Sequence, residues 1–384
     1  MINYKNTVIF FIFSVYLSIG IFLSLTNGIS HDQFHEQLNW KINFEAIQSV
    51  FTEKSNYNVL LEYLDKYHGI GFHYISQPIQ FLIHEHVGKL YQVTFDGSYY
   101  LSRHVAVFLI FSLSGYFFYL MCLKISNDKN FSLICVTLFF LYPYLFGHAQ
   151  INGKDIPFMS FWIIATYLLV SIIEKFYNDR DIDIKLIFYI SFVTAFLISI
   201  RITGILILIQ YLVALVILLN IKNINFFSFM KKNVFFFSIF SFLLIIFTYL
   251  LNPILWHNPL ELVSSVKWMG KYYHDICTLT LGSCMRALNL PSSYMFIWFF
   301  FKLPIIILFG LCLFPFVEEK IIKKDIKTVY YGIFIITPLI LLFIFILKNI
   351  ALYDEIRHIM FLIPFLFLVG LYNIFIFNKK FFYY

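Results

Sequence analysis

The chain has 384 residues, of which 60% are hydrophobic and 13% charged, with a mean hydropathy of +0.80. Soluble globular domains carry roughly 25% charged residues, so this composition excludes one and points to an integral membrane protein. The formal charge of +7 does not point to nucleic acid, because the basic residues are scattered through short loops and form no patch with interleaved aromatics.

A spanning helix needs about 20 mostly apolar residues. Ten runs qualify: 6–26, 104–123, 131–147, 158–174, 186–200, 203–220, 234–251, 294–316, 329–347 and 359–377. The expected fold is therefore an all-α polytopic membrane protein of about ten transmembrane helices, a single domain over 1–384 with no internal repeat. The first run follows Lys5 and is followed by no small-residue cleavage site, so it reads as a retained anchor rather than a signal peptide. The 186–220 pair fits two tight spans turning at Arg201-Ile202-Thr203-Gly204 or one long tilted helix, and loop charge favours two.

That charge falls on one side: Lys124 and Lys129; Lys175, Arg180 and Lys185; Lys222, Lys231 and Lys232; Lys320, Lys323, Lys324 and Lys327; Lys379 and Lys380. The positive-inside rule then places both termini in the cytoplasm. The other side receives a large loop at 27–103, a second at 252–293, and short turns at 148–157, 200–204 and 348–358. In the first loop, Phe44, Ile47, Val50 and Phe51, and then Leu60, Leu61 and Leu64, recur at helical spacing, as in amphipathic helices lying along a membrane surface. The 50 Phe and 27 Tyr suit lipid-facing bulk and interfacial belts. Cys122, Cys135 and Cys312 lie in apolar spans and read as inert core residues. Cys277 and Cys284 share an outer loop, where a disulfide can persist, although spacing alone fixes no geometry.

Polar clusters recur on the outer side only. In His31-Asp32-Gln33-Phe34-His35-Glu36, Asp32 and Glu36 at i, i+4 share a helix face with His35 alongside. Two acids so close tend to have their pKa values pushed apart, which suits one to act as a base; the other reading is a solvated loop. The turn 142–157 gathers His148, Gln150, Asn152, Lys154 and Asp155 between apolar runs, where ionisable groups usually face a cavity. Lys154 offers a cation suited to phosphate, and Asp155 could orient a hydroxyl or hold a metal. The plainer reading is a turn that starts the next helix at Pro157. Arg201 suits a phosphate by its fork geometry, or snorkels. In Tyr353-Asp354-Glu355-Ile356-Arg357-His358, Arg357 and His358 could form a second anion site, with Asp354 and Glu355 as local partners. Asn252-Pro253, Trp256-His257-Asn258-Pro259 and Leu290-Pro291-Ser292-Ser293-Tyr294 with Lys302 could line an acceptor groove. No P-loop, Gly-x-Ser-x-Gly, His-Glu-x-x-His or paired-cysteine zinc pattern is present.

These motifs together resemble the GT-C superfamily of multi-spanning glycosyltransferases that use polyprenyl-phosphate sugars. Asp32-Gln33-Phe34-His35 resembles the Asp-Glu-x-x-His pattern of its protein O-mannosyltransferase and aminoarabinose-transferase branch. Asn152-Gly153-Lys154-Asp155-Ile156-Pro157-Phe158 is similar to the Asn-x-Lys-Asp-x-Pro-Phe turn of bacterial dolichyl-phosphate-mannose-protein mannosyltransferase-like proteins. Arg201-Ile202-Thr203-Gly204, Leu290-Pro291-Ser292-Ser293-Tyr294 and the 353–358 stretch also resemble segments of those proteins, so the likeness covers about 30–365. Gln33 departs from the pattern by standing where that branch has a second acid, leaving Asp32 to work alone or with Glu36.

The resemblance implies an inverting hexosyl or pentosyl transfer at an extracytoplasmic site of the plasma (bacterial inner) membrane. Asp32, Glu36 and His35 would be catalytic. Lys154, Arg201, Arg357 and His358 would hold the donor phosphate, and His148, Asn152, Asp155 and Tyr353 would bind substrate. The acceptor would be a glycan, a lipid or a protein. Some relatives bind a divalent metal, while no ligand set in this sequence requires a metal or other cofactor. Two other classes remain open: a transporter or flippase of lipid-linked sugars, expected to show broken helices and internal symmetry, and a non-catalytic membrane subunit of a glycan synthase.

Overall fold

Capping and proline chemistry set the helix ends. The computed structural model describes residues 4–52, 57–271, 276–352 and 354–382. Helix α1 (Tyr4–Thr26) is followed by α2 (His31–Ser49), α3 (Asn58–Glu62), α4 (His73–Ile83) and the long α5 (Phe95–Ser126). Thr94 starts α5 by accepting the Gly97 N–H at 3.0 Å, and Asn127, in the left-handed region, ends it. Asp128 caps α6 (Lys129–Leu141) through the Phe131 N–H. Pro143 cannot continue that hydrogen-bond ladder, so the chain bends by 57° and restarts as α7 (Pro143–Ile151). Then come α8 (Asp155–Tyr177), α9 (Ile184–Ile200), a 3-10 turn at Ile202–Leu206 and α10 (Ile207–Lys222). The Thr194 and Tyr211 hydroxyls meet at 2.7 Å, nearly equidistant from that turn, so α9 and α10 are two arms of a hairpin rather than one long helix.

The second half runs through α11 (Phe226–Lys232), α12 (Val234–Leu251), α13 (Ile254–His257) and α14 (Glu261–Met269) to an antiparallel hairpin of β1 (Cys277–Thr280) and β2 (Ser283–Arg286). A disulfide joins Cys277 to Cys284 across it. Next are α15 (Tyr294–Lys302), α16 (Ile305–Cys312), α17 (Phe314–Ile321), α18 (Ile326–Leu347), a 3-10 turn at Arg357–Leu362 and α19 (Ile363–Phe382).

Among the described residues, seven helices are long and apolar enough to cross a bilayer, or up to nine if the bent pairs α6–α7 and α15–α16 each make one crossing. At 17 residues, the apolar helix α9 falls just short of that length. The chain is an all-α membrane protein. The expected straight spans at 131–147 and 294–316 are instead broken, the second by 116° at Pro304. The expected ten-residue turn at 148–157 shrinks to 152–154, because α7 stays helical through Ile151. The first outer loop is likewise shorter, since α5 already starts at Phe95.

Helix α8 is the most enclosed span, set against α5, α9, α10 and the 357–362 turn. Lipid tails are as apolar as leucine, so polar bonds and close backbone approach bring spans together. Gln210 Oε1 accepts from Trp162 Nε1 at 2.8 Å and Thr166 Oγ1 at 3.2 Å, joining α10 to α8. Gly310 and Gly370 let α16 and α19 touch backbone to backbone: a Cβ on Gly310 would lie 2.1 Å from the Gly370 carbonyl oxygen. Cys122 and Cys135 are buried as expected, but Cys312 is exposed because it faces away from the α16–α19 contact.

The surface helices differ in detail from expectation. Helix α2 turns Asp32, Glu36, Asn39 and Asn43, spaced i, i+4, i+7 and i+11, toward the protein together with buried Gln33 and Trp40, while Phe34, Leu38 and Phe44 are exposed. Leu60 is buried against Ala46, Ile254 and Leu255 rather than facing lipid, whereas Leu64 is exposed.

Candidate functional site

Four segments far apart in sequence meet at one end of the bundle: the start of α2, the 152–154 turn, the α9–α10 turn, and the loop before α19. Asn152 Oδ1 accepts the N–H groups of Lys154 (3.2 Å) and Asp155 (2.9 Å), an Asx turn that opens α8. This turn delivers Lys154 to α2 and Asp155 to two arginines. Asp155 Oδ1 lies 2.5 Å from Arg201 Nη1, and its Oδ2 accepts from Arg357 Nε at 2.6 Å and Asn152 Nδ2 at 2.9 Å. Arg357 also donates through Nη1 to Asp354 Oδ2 at 2.9 Å and through Nη2 to Asp32 Oδ2. Arg201 Nη2 reaches His358 Nδ1 at 3.2 Å, and Asn152 Nδ2 reaches His148 Nδ1 at the same distance.

One turn along α2, Glu36 joins a second group. Its Oε1 accepts from Lys154 Nζ at 2.8 Å and its Oε2 from Arg103 Nη2 at 2.9 Å. Lys154 Nζ is also 3.2 Å from His68 Nδ1. Arg103 continues to the Gly153 carbonyl at 3.0 Å and to His73 Nε2 at 2.7 Å. His73 Nδ1 faces the Ile70 carbonyl, which requires a donor, so Nε2 is the acceptor for both Arg103 and the Tyr99 hydroxyl. Trp40 stacks flat on the His73 ring at 5.1 Å. Burial and the adjacent Arg103 hold His73 well below the ordinary imidazole value. Burial opposes ionisation of Glu36, but Lys154 and Arg103 outweigh it and hold the carboxyl well below the usual carboxylate range.

Arg103, Lys154, Arg201 and Arg357 thus face Asp32, Glu36, Asp155 and Asp354, a charge-balanced network. Side-chain exposure grades from 1% at Arg103 and Asp155, through 24% at Arg357, to 48% at Asp354 and 52% at Asp32. Asp32 is the outermost member. Asp354 and Glu355 both adopt positive φ, +61° and +62°, a costly conformation outside glycine. It is held by the Asp354 N–H on Thr278 Oγ1 at 3.2 Å and the Glu355 N–H on the Tyr294 hydroxyl at 3.0 Å. The disulfide-bridged hairpin therefore braces the loop that carries Arg357. Lys302 closes this side on Glu355 at 2.6 Å and lies over the Tyr144 ring.

The structure thus brings together Asp32, Glu36, Lys154, Arg201, Arg357, His358, His148, Asn152 and Asp155. It does not bring in His35, which is exposed and touches only the His31 ring among the contacts described. Tyr353 lies outside the described residues. Among the described residues no cluster of three or more His, Cys, Asp or Glu could hold a metal. The site carboxylates face guanidinium or ammonium groups instead, so this donor set does not fit a divalent ion. Asn252 and Trp256, expected near an acceptor groove, bond the end of α12, Asn252 Nδ2 to the Thr248 carbonyl and Trp256 Nε1 to that of Tyr249.

Sequence reading missed Arg103 and His73. The usable signal for Arg103 was a polar pair, Arg103-His104, opening an apolar run. Gln33 also gains a role: Nε2 donates to His104 Nε2 at 2.7 Å and to the Ile151 carbonyl at 2.8 Å, the latter a contact no carboxylate could make.

The opposite end of the bundle is ionic too, with Lys124 on Glu174, Lys175 on Asp183, and Lys222 and Lys232 both on Asp179. Along α8, Asp155 and Glu174 stand about 28 Å apart at 1.5 Å per residue, close to the roughly 30 Å of hydrocarbon in a bilayer. Fold and site therefore define a polytopic membrane protein with a buried ionic network at one membrane face. Comparison with protein-family models, curated proteins and solved structures finds no match to the chain.

Proposed function

We propose that the chain is an inverting membrane glycosyltransferase of GT-C type. It moves a hexosyl or pentosyl unit from a polyprenyl-phosphate donor to a hydroxyl of a glycan, lipid or protein acceptor. The observation that carries this reading is the placement of Asp32, a half-exposed carboxylate at the rim of a buried network rich in arginine. Asp32 takes the acceptor proton as the acceptor oxygen bonds to the sugar C1. The bond from C1 to the phosphate oxygen breaks, and its electron pair leaves with the polyprenyl phosphate. A positioned base supplies about 10²–10⁴-fold, and Arg357, backed by Arg201 and Lys154, stabilises the charge growing on the leaving group. Glu36, clasped between Lys154 and Arg103, acts as a positioning residue.

In this reading both bent pairs and α9 cross the bilayer, giving ten crossings with both termini in the cytoplasm of the plasma (bacterial inner) membrane. The lysine-rich end of the bundle supports that orientation, and so does the Cys277–Cys284 disulfide, since disulfides persist outside the cytoplasm.

The test is deletion of the gene in its host and complementation with wild type or Asp32→Asn, read by mass profiling of surface glycans and glycoproteins. A hexose- or pentose-sized mass that disappears and returns only with wild type is the expected result. Equal restoration by Asp32→Asn would remove Asp32 as base. The charge-balanced network, with each cation already paired, would then favour a non-catalytic subunit.

A further inference from the structure

The cations of the network are not equally available to an incoming anion. Arg103 is buried on Glu36; Arg201, only 12% exposed, is paired with Asp155; and Lys154 is held by Glu36 and His68. Arg357 differs. Its Nε is fixed on buried Asp155, while its two terminal nitrogens each donate to a half-exposed carboxylate, Nη1 to Asp354 and Nη2 to Asp32. A planar guanidinium with Nε anchored and both Nη groups turned to exchangeable oxygens has the fork geometry that binds a phosphate bidentately.

We infer that the Nη1–Nη2 edge of Arg357 is a seat for the phosphate common to donor and leaving group, at which Asp32 and Asp354 stand in for its two non-bridging oxygens. The inference rests on the transferase reading above and deepens it: phosphate and Asp32 compete for one guanidinium. Asp155 keeps Arg357 in place during the exchange. A bound donor displaces Asp32 from its ion pair, so the base is set free only when the leaving group is present, and the donor precedes the acceptor.

The competition has an unusual consequence: removing the proposed base tightens binding of the lipid phosphate. The experiment titrates the full-length protein in nanodiscs with a polyprenyl monophosphate and, in parallel, with inorganic phosphate, measuring Kd by native mass spectrometry. Asp32→Asn and Asp354→Asn are each expected to bind about two- to fivefold tighter than wild type, the range a half-exposed ion pair is worth. Arg357→Gln is expected to bind at least tenfold weaker. Glu355→Gln, whose carboxylate pairs with Lys302, is expected to match wild type. The deciding arm is the double variant, because the gain from Asp32→Asn must vanish in the Arg357→Gln background if it arises from that pair.

A gain that persists without Arg357 would mean general repulsion and overturn the seat, as would an Asp32→Asn Kd equal to or weaker than wild type. In those cases wild-type binding of the lipid phosphate leaves the transferase reading standing. No binding of polyprenyl monophosphate by any variant would remove the transferase reading and the seat with it. The same ranking with inorganic phosphate would support the seat and assign recognition to the phosphate group rather than the chain.

Discussion

Asp155 holds two of the three arginines of the site, Arg201 at 2.5 Å on one carboxylate oxygen and Arg357 at 2.6 Å on the other. It is a buried anion shared between two cations, and its removal leaves both without their main counter-charge. Breaking a buried pair this way costs about 3–5 kcal/mol. Asp155→Asn is therefore expected to lower the thermal midpoint of the detergent-solubilised protein by several degrees and to abolish transfer. An unchanged midpoint would show that the guanidiniums are solvated where they stand.

Asp32 and Glu36 sit one helical turn apart but make opposite predictions. The Asp32–Arg357 pair has a half-exposed acid, and such pairs contribute about 0.2–1 kcal/mol. Asp32→Asn should lower turnover by about 10²–10⁴-fold with little change in thermal midpoint. Glu36→Gln strands Lys154 and Arg103 and should lower the midpoint together with activity. Equal stability of the two variants would contradict the division of roles.

Acid should weaken the fold in two stages. His73 and Glu36 both have depressed folded-state values, so each binds more protons unfolded than folded, and stability falls as pH falls. The His73 contribution is complete above the ordinary imidazole value of about 6.5 and declines below it; that of Glu36 declines below about 4.5. Thermal midpoints measured from pH 8 to pH 4 should drop first below about 6.5. His73→Gln should flatten that first stage, and an unaltered profile in this variant would place the titration elsewhere. The groups facing His73 are Arg103, Tyr99, Glu36 and Lys154.

Gly153 tests the turn. A Cβ there would lie 2.3 Å from Arg103 Nε, whereas one on Gly147 would meet nothing within 4 Å. Gly153→Ala should displace Arg103 from Glu36 and reduce both midpoint and transfer, with Gly147→Ala near wild type in both. Parity between the two variants would mean that Arg103 shifts without cost.

The apolar runs, the polar clusters between them and the shared face of Asp32 and Glu36 were all readable from the chain, because length, hydropathy and helical spacing are local properties. The same local logic placed Lys154 and Asp155 in a turn ahead of Pro157. It failed at Pro143 and Pro304, where apolar composition continues but the backbone ladder does not, so single runs became bent pairs. On α2 the apolar spacing marked an amphipathic surface helix, and Phe34, Leu38 and Phe44 are exposed as such a helix requires; what spacing did not carry is that its polar stripe meets Lys154, Arg103 and Arg357.

What the sequence determined by itself is an all-α membrane protein with ionisable groups gathered where its spans emerge. Only the tertiary structure decided which charge meets which. Arg103 with Glu36, Arg201 with Asp155, and Arg357 with Asp32 join residues on different helices. Such pairs depend on how far each helix slides along its neighbours, and a shift of one turn, about 5.4 Å, would exchange every partner. No residue spacing within one segment carries that information.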